Sequence, residues 1–202
     1  MRANLFPAVV LAGGSARRMG GGDKPLVAVQ GRPILDWIMA RVQPQVTALA
    51  ISANGDPSRF ALYSFDILPD HAPELGPMAG ILAGMVWAER TQPEATHILT
   101  VSGDTPFLPS DLVERLAAAL PDQAISMATA KSGGRLHPAL SLWPIAARGD
   151  IQTRLDAGQC KRVMEWTDRL NAVSVEWPVE PYDPFFNVNT PDDLMEAERI
   201  RI

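Results

Sequence analysis

The sequence predicts an α/β fold in which a mostly parallel central sheet is covered by helices. Short apolar runs of strand length alternate with helical patterns through the first half, the pattern of parallel strands joined by crossover helices. Two of those runs end at glycine, at Gly13-Gly14 and at Gly103-Asp104. The chain has 202 residues, 47% of them hydrophobic and 20% charged, ordinary values for a globular domain of one core. A single domain over 1–202 is expected.

Pro7 to Leu11 reads as a buried strand entering a loop. Pro33 to Val42 has apolar residues at helical spacing, with the proline suited to the first turn. Leu49 to Ser52 and Asp66 to Leu68 are further short strands. Met78 to Ala88 is a largely apolar helix behind the breaker Gly76-Pro77. His97 to Val101 is a strand, and Pro109 to Leu120 an amphipathic helix with Ser110 or Asp111 near its start. The pattern then loosens. Strands are expected at Ala124 to Thr129, Ala139 to Trp143 and Phe185 to Val188, and helices at Asp150 to Ala157 and Arg162 to Leu170. Thr190 caps a final helix, with Pro191 at its first position and Asp192 and Asp193 in its first turn. In a parallel sheet ligands bind beyond the carboxyl ends of the strands, which selects the loops after Leu11, Ser52 and Val101.

The formal net charge is -5, which makes the chain a poor candidate for non-specific nucleic-acid binding. Cys160 is the only cysteine, so no internal disulfide forms. No stretch approaches the roughly 20 apolar residues needed to cross a bilayer. The start of the sequence carries no long apolar signal region, and the expected location is cytoplasmic.

The most informative segment runs from Leu11 to Lys24. Five glycines in ten positions, Gly13 to Gly22, let backbone N–H groups approach an anion, and Arg18 and Lys24 add positive charge. The chemistry suits a polyphosphate. It is not a P-loop, because Lys24 is preceded by Asp23 and followed by Pro25. Nor does it have the G-x-G-x-x-G spacing of a dinucleotide fold, which also removes a dehydrogenase. Asp104 is a lone carboxylate just past a buried strand. It suits magnesium, which is held by one or two carboxylates plus phosphate oxygens and water, and it also suits the turn at Thr105-Pro106. Asn54 stands before Gly55, where a plain turn explains it equally well. Asp70 has two readings, a chain cap and an acceptor for the N1–H and amine of guanine. Strand alternation over Asn187-Val188-Asn189 would put both amides on one face. His71, His97 and His137 lack metal-ligand spacing.

The run L-A-G-G-x-x-x-R-M-G-G-x-D-K, followed by Gly31-Arg32-Pro33-Ile34-Leu35, resembles the nucleotidyltransferases of sugar nucleotides and cofactors. Later blocks narrow the resemblance to the molybdenum cofactor guanylyltransferase family: Leu68-Pro69-Asp70, Gly76-Pro77-Met78-Ala79-Gly80, Gly103-Asp104-Thr105-Pro106, His137-Pro138 and Phe186-Asn187-Val188-Asn189-Thr190-Pro191. They stand in the family's order over nearly the whole chain. The resemblance implies a three-layer, Rossmann-like nucleotidyltransferase fold, with a nucleotide-binding first half and an acceptor-binding second half. It implies transfer of GMP from GTP to molybdenum-bearing molybdopterin, release of pyrophosphate, and Mg2+ as cofactor.

By the same resemblance Leu11, Ala12, Gly13 and Gly14 contact the nucleotide, Lys24 holds its phosphates and Arg18 binds the leaving pyrophosphate. Asn54 and Asp70 match positions that bind GTP, and Gly76 and Gly80 lie against the base. Asp104 matches the magnesium ligand, with Asn189 beside it. Asn187 and Asn189 are placed toward the acceptor. His137 either helps hold the pterin or is a structural histidine before Pro138. Ser102-Gly103 stands where many relatives have a proline and a small residue. The resemblance leaves room for transient contact with other proteins of cofactor synthesis or molybdoenzyme maturation. The competing assignments are a cytidylyltransferase acting on the same cofactor, another small nucleotidyltransferase of this fold, and a catalytically silent nucleotide-binding protein.

Overall fold

A computed structural model describes residues 6–13, 23–70, 75–121 and 125–201. Strand β1 is Ala8–Leu11. A two-stranded hairpin follows, β2 (Ala28–Val29) with β3 (Arg32–Pro33), and leads into helix α1 (Ile34–Val42). Next come β4 (Leu49–Ser52), β5 (Asp66–Leu68), α2 (Pro77–Thr91), β6 (His97–Ser102) and α3 (Leu112–Ala119). The second half holds β7 (Ala128–Ser132), β8 (Arg135–Pro144), α4 (Arg148–Asp156), α5 (Val163–Arg169), β9 (Val173–Trp177) and α6 (Pro191–Ala197).

Seven strands form the main sheet in the order β5-β4-β1-β6-β8-β7-β9. The pairs β5–β4, β4–β1, β1–β6 and β7–β9 are parallel. Strand β8 alone runs against its neighbours β6 and β7. The sheet is therefore mostly parallel, as expected. Alternation along each central strand sends Ala8, Val10, Leu49, Ile51, Leu99 and Val101 to one face, where α1 and α3 pack. Val9, Ala50 and Ile98 point to the other face, under α2, α4 and α5. These are the three layers. The helix α2 lies very close to the sheet because Gly84 has no side chain. A Cβ there would stand 2.6 Å from Val9 Cγ1. Among the described residues no helix is long and apolar enough to cross a membrane.

Chain order sets the site. From β1 the chain moves outward through β4 and β5, then returns through α2 to place β6 on the other side of β1. A crevice opens there, at the carboxyl ends of the strands.

The second half corrects several expectations. Strand β7 lies at Ala128–Ser132, shifted toward the C-terminus and sharing only Ala128 and Thr129 with the expected window of Ala124 to Thr129, whose first residue is outside the described ones. Its polar end belongs to the ladder because Lys131 pairs across the sheet with Glu176, Nζ to Oε2 3.1 Å. Gly133 and Gly134, at φ +52° and +78°, close a two-residue hairpin that extends β8 back to Arg135. Val173–Trp177, not expected as a strand, is the edge strand β9. Phe185 to Val188 is not a strand. Its backbone turns at Phe186 N–H to Asp183 O (3.1 Å) and then bonds across to Asp104 O through Val188 N–H (2.9 Å). Helix α3 begins later than expected, at Leu112, and Pro33 precedes α1 as its cap and does not enter the first turn.

Candidate active site

The crevice forms a cavity of about 310 Å3 at the carboxyl ends of β1, β4 and β6. That is the size class of small-molecule sites, about 300–1,000 Å3. Leu11, Gly13, Lys24, Asn54 and Asp70 line it, and so do Gly76, Gly80 and Asp104. Ala12 is buried at 1% exposure, and its N–H is held by Ser52 O at 2.8 Å. Gly14 and Arg18 lie outside the described residues.

Two carboxylate clusters face the cavity. In the first, Asp70 Oδ1 accepts from Ser52 Oγ (2.7 Å) and Oδ2 from Asn54 Nδ2 (2.9 Å). Asn54 returns the contact, its Oδ1 accepting from the Asp70 N–H at 2.9 Å. The reciprocal pair locks both side chains. Asn54 is therefore more than a turn residue, although Gly55 behind it does take φ +84°. A Cβ on Gly13 would lie 3.5 Å from Asp70 Oδ2, and one on Gly80 only 2.6 Å from Ser52 Oγ. Small residues thus leave the space in front of this carboxylate open.

In the second cluster Lys24 Nζ lies 2.6 Å from Asp104 Oδ2 and also donates to Asn189 Oδ1. Both members of the ion pair are largely buried, at 12% and 15% side-chain exposure, so solvent screens it less than a surface pair. Ser102 Oγ donates to the other Asp104 oxygen at 2.6 Å. Ser102 thus supplies this carboxylate with a neutral donor. Gly103 is required for close approach, since a Cβ there would meet Leu11 O at 2.8 Å. Leu11 pairs with Ser52 on one side and Ser102 on the other, so one register places a serine hydroxyl on each carboxylate.

The alternation expected around Val188 holds without a strand. Val188 is fully buried, Asn187 Oδ1 accepts from Thr105 Oγ1 (2.8 Å), and Asn189 reaches Lys24. The capping box of α6 fixes Asn189: Asp193 Oδ2 accepts from the N–H of Asn189 and of Thr190, each at 2.8 Å. Burial pushes the Asp193 carboxyl up, but those N–H groups, the Thr190 hydroxyl and the charge of Lys24 outweigh it and hold the pKa below the usual value. His137 does not line the cavity. It is buried in β8, its Nε2 is 2.8 Å from Ser132 Oγ, and its ring packs on Phe185 at 5.0 Å. Burial holds its imidazole below the usual histidine value, against the pull of Asp183.

Sequence reasoning missed Ser52, Ser102 and Arg59. Ser52 closes one predicted strand and Ser102 directly follows another, and only the register reveals their aim. Arg59 Nη1 pairs with Asp23 Oδ1 at 2.9 Å, and Nη2 donates to the Asn54 carbonyl. Among the described residues no group of three or more His, Cys, Asp or Glu is placed to hold a metal. The oxygen pair of Asp104 and Asn189 is nevertheless already seated on a cation, the Lys24 ammonium.

The model of the MobA-like NTP transferase domain matches residues 8–172. The chain belongs to the MobA-like NTP transferase family. Curated relatives extend the likeness past residue 172. A molybdenum cofactor guanylyltransferase of Bradyrhizobium sp. (strain ORS 278) is 47% identical over 96% of this chain and 92% of its own length. One of Rhodopseudomonas palustris (strain BisB5) is 49% identical over 97% and 94%. Among solved structures, molybdopterin-guanine dinucleotide biosynthesis protein A of Archaeoglobus fulgidus superposes with a TM-score of 0.69 at 24% identity, covering 96% of this chain and 97% of that one. A nucleotidyl transferase of Methanothermobacter superposes at 0.71 with 15% identity, covering 97% of each chain. At those identities the superpositions establish the nucleotidyltransferase fold of this MobA-like chain.

Proposed function

We propose that this chain transfers GMP from GTP to molybdenum-bearing molybdopterin and releases pyrophosphate. The observation that carries the reading is identity of 47–49% with molybdenum cofactor guanylyltransferases over nearly the whole chain. The Asp70 cluster supports guanine as the base. A carboxylate held by two neutral donors keeps its charge and can still accept from the N1–H and exocyclic amine of guanine. Cytosine offers only its amine there, and its ring nitrogen and carbonyl would face the carboxylate as further acceptors.

Lys24 and Arg18 would hold the phosphates, with Arg18 on the departing pyrophosphate, where charge builds as the bond breaks. A terminal phosphate oxygen of the acceptor attacks the α-phosphorus, and the bond from that phosphorus to the oxygen bridging to the β-phosphate breaks, its electron pair leaving with pyrophosphate. The acceptor phosphate is already ionised near neutral pH, so no general base is required. Mg2+ is the proposed cofactor. Asp104 and Asn189 offer the oxygen donors that such an ion takes, and the ion would neutralise triphosphate charge there. On Lys24 falls the exchange of partners, from these two oxygens to phosphate. The single cysteine and this intracellular substrate class fit a cytoplasmic location.

The test is pyrophosphate release with molybdenum-loaded molybdopterin as acceptor, comparing GTP with CTP and Mg2+ with a chelator. Turnover should require GTP and the divalent ion. Equal or faster turnover with CTP sinks the guanylyl reading, and full turnover in chelator sinks the metal.

A further inference from the structure

Arg59 sits in a 3-10 turn, Pro57–Phe60, whose start is capped by Asp56 accepting from the Ser58 N–H at 2.9 Å. The turn sends the guanidinium back toward the cavity wall. Its two terminal nitrogens take acceptors on two separate segments, Asp23 at 2.9 Å and the Asn54 carbonyl. The cost is visible in the same group: Nε is buried and has no hydrogen-bond partner among the described residues. The guanidinium is thus placed for its two forward contacts and against its own third donor. Gly55 accommodates it, since a Cβ there would stand 3.3 Å from Nη1.

The two segments are those of the two carboxylate clusters. Asp23 directly precedes Lys24, and its carbonyl accepts from Leu26 N–H (3.0 Å) to start the turn that carries Lys24. Asn54 is locked reciprocally to Asp70. A chain of contacts therefore runs Lys24–Asp23–Arg59–Asn54–Asp70. Arg59 also neutralises Asp23, a carboxylate that would otherwise repel a polyphosphate beside Lys24. A planar fork can serve two acceptors in fixed directions, whereas lysine supplies one point charge.

We propose that Arg59 is a positioning residue that ties the phosphate-binding segment to the base-reading pair, and so sets both affinity for a nucleoside triphosphate and discrimination by its base. The proposal rests on the nucleotide site described above. It separates two effects: offsetting the charge of Asp23 governs affinity for any triphosphate, and anchoring Asn54 governs the choice of base.

The experiment is calorimetric titration of GTP and ITP with Mg2+, ITP lacking the exocyclic amine, into wild type, Arg59→Met, Arg59→Lys and the double variant Asp23→Asn/Arg59→Met. Arg59→Met should weaken GTP binding about 10-fold or more and lower the GTP-to-ITP affinity ratio about threefold, the scale of a lost charged hydrogen bond. The double variant should regain about threefold or more of affinity for both nucleotides, with the ratio still lowered, because only the charge conflict is removed. Arg59→Lys should keep most of the affinity and lose the ratio. That variant decides the matter if Arg59→Met does not fold. Binding of both nucleotides by Arg59→Met within twofold of wild type, a GTP-to-ITP ratio unchanged in Arg59→Lys, or equal loss of GTP and ITP with no recovery in the double variant, overturns the proposal. A wild type that binds CTP as tightly as GTP instead sinks the guanylyl reading. The role of Arg59 in affinity is then still read from the variant-to-wild-type ratios and from the double-variant recovery.

Discussion

Asp70 and Asp104 face one cavity and are held in opposite ways. Among the described residues Asp70 has only neutral partners, the Ser52 hydroxyl and the Asn54 amide, and these come from the strand end and loop beside it. Asp104 is paired with an ammonium from a distant segment, and that ammonium is shared with Asn189. Neutral donors orient a carboxylate without cancelling its charge, so Asp70 is preorganised to read a ligand. In the proposed reaction the phosphates would draw Lys24 away from Asp104. On that reading one carboxylate is built to stay in place, and the other to change partners.

The comparison makes its largest prediction at Asp104. Asp104→Asn should lower turnover by at least about 100-fold, the scale of removing a preorganised charge from a reacting centre. It should not weaken GTP binding measured without metal, because Lys24 is then free for phosphate. Equal loss of metal-free binding and turnover would place Asp104 in the same class as Asp70 and break the contrast. Asp70→Asn should do the reverse. GTP affinity should fall about 10- to 100-fold and the preference over ITP should shrink, with kcat at saturation changing by a few fold. A kcat loss as large as that of Asp104→Asn speaks against a base-reading role. The smallest effect is expected at Gly80→Ala. Its Cβ, 2.6 Å from Ser52 Oγ and 2.9 Å from Leu11 Cδ2, would turn the serine away from Asp70. KM for GTP should rise about three- to tenfold with kcat retained, a typical cost of overpacking partly offset by alanine's better helix propensity. Unchanged KM would mean that Ser52 contributes nothing to the Asp70 cluster.

The parallel half was legible because its signals are local. Ala8 to Leu11, Leu49 to Ser52 and His97 to Ser102 are apolar runs with turn residues just beyond, and all three lie in the interior of the sheet. The other half hid its strands for physical reasons. Edge strand β9, Val-Ser-Val-Glu-Trp, does alternate, but over five residues of which only Trp177 is buried, and β7 carries a lysine whose partner lies on another strand. In the site, the motif residues could be read one by one, but their pairings could not. Lys24 with Asn189, or Arg59 with Asp23, leaves no local trace in sequence. His137 had two readings in sequence, a pterin contact by resemblance and a structural histidine, and the fold gives its ring to Ser132 on β7 and to Phe185.

The place of β1 has a consequence for how the chain reaches its native state. The first strand described is also an interior one, and both of its neighbours, β4 and β6, come later in the sequence. Pairing them demands closure of long loops, the entropic step that slows folding in topologies rich in distant contacts. The Lys24–Asn189 contact spans 165 positions, joining segments near the two ends of the chain. The Lys24–Asp104 pair joins segments 80 positions apart that follow β1 and β6, so a chain in which those two strands have not paired holds an Asp104 without its cation.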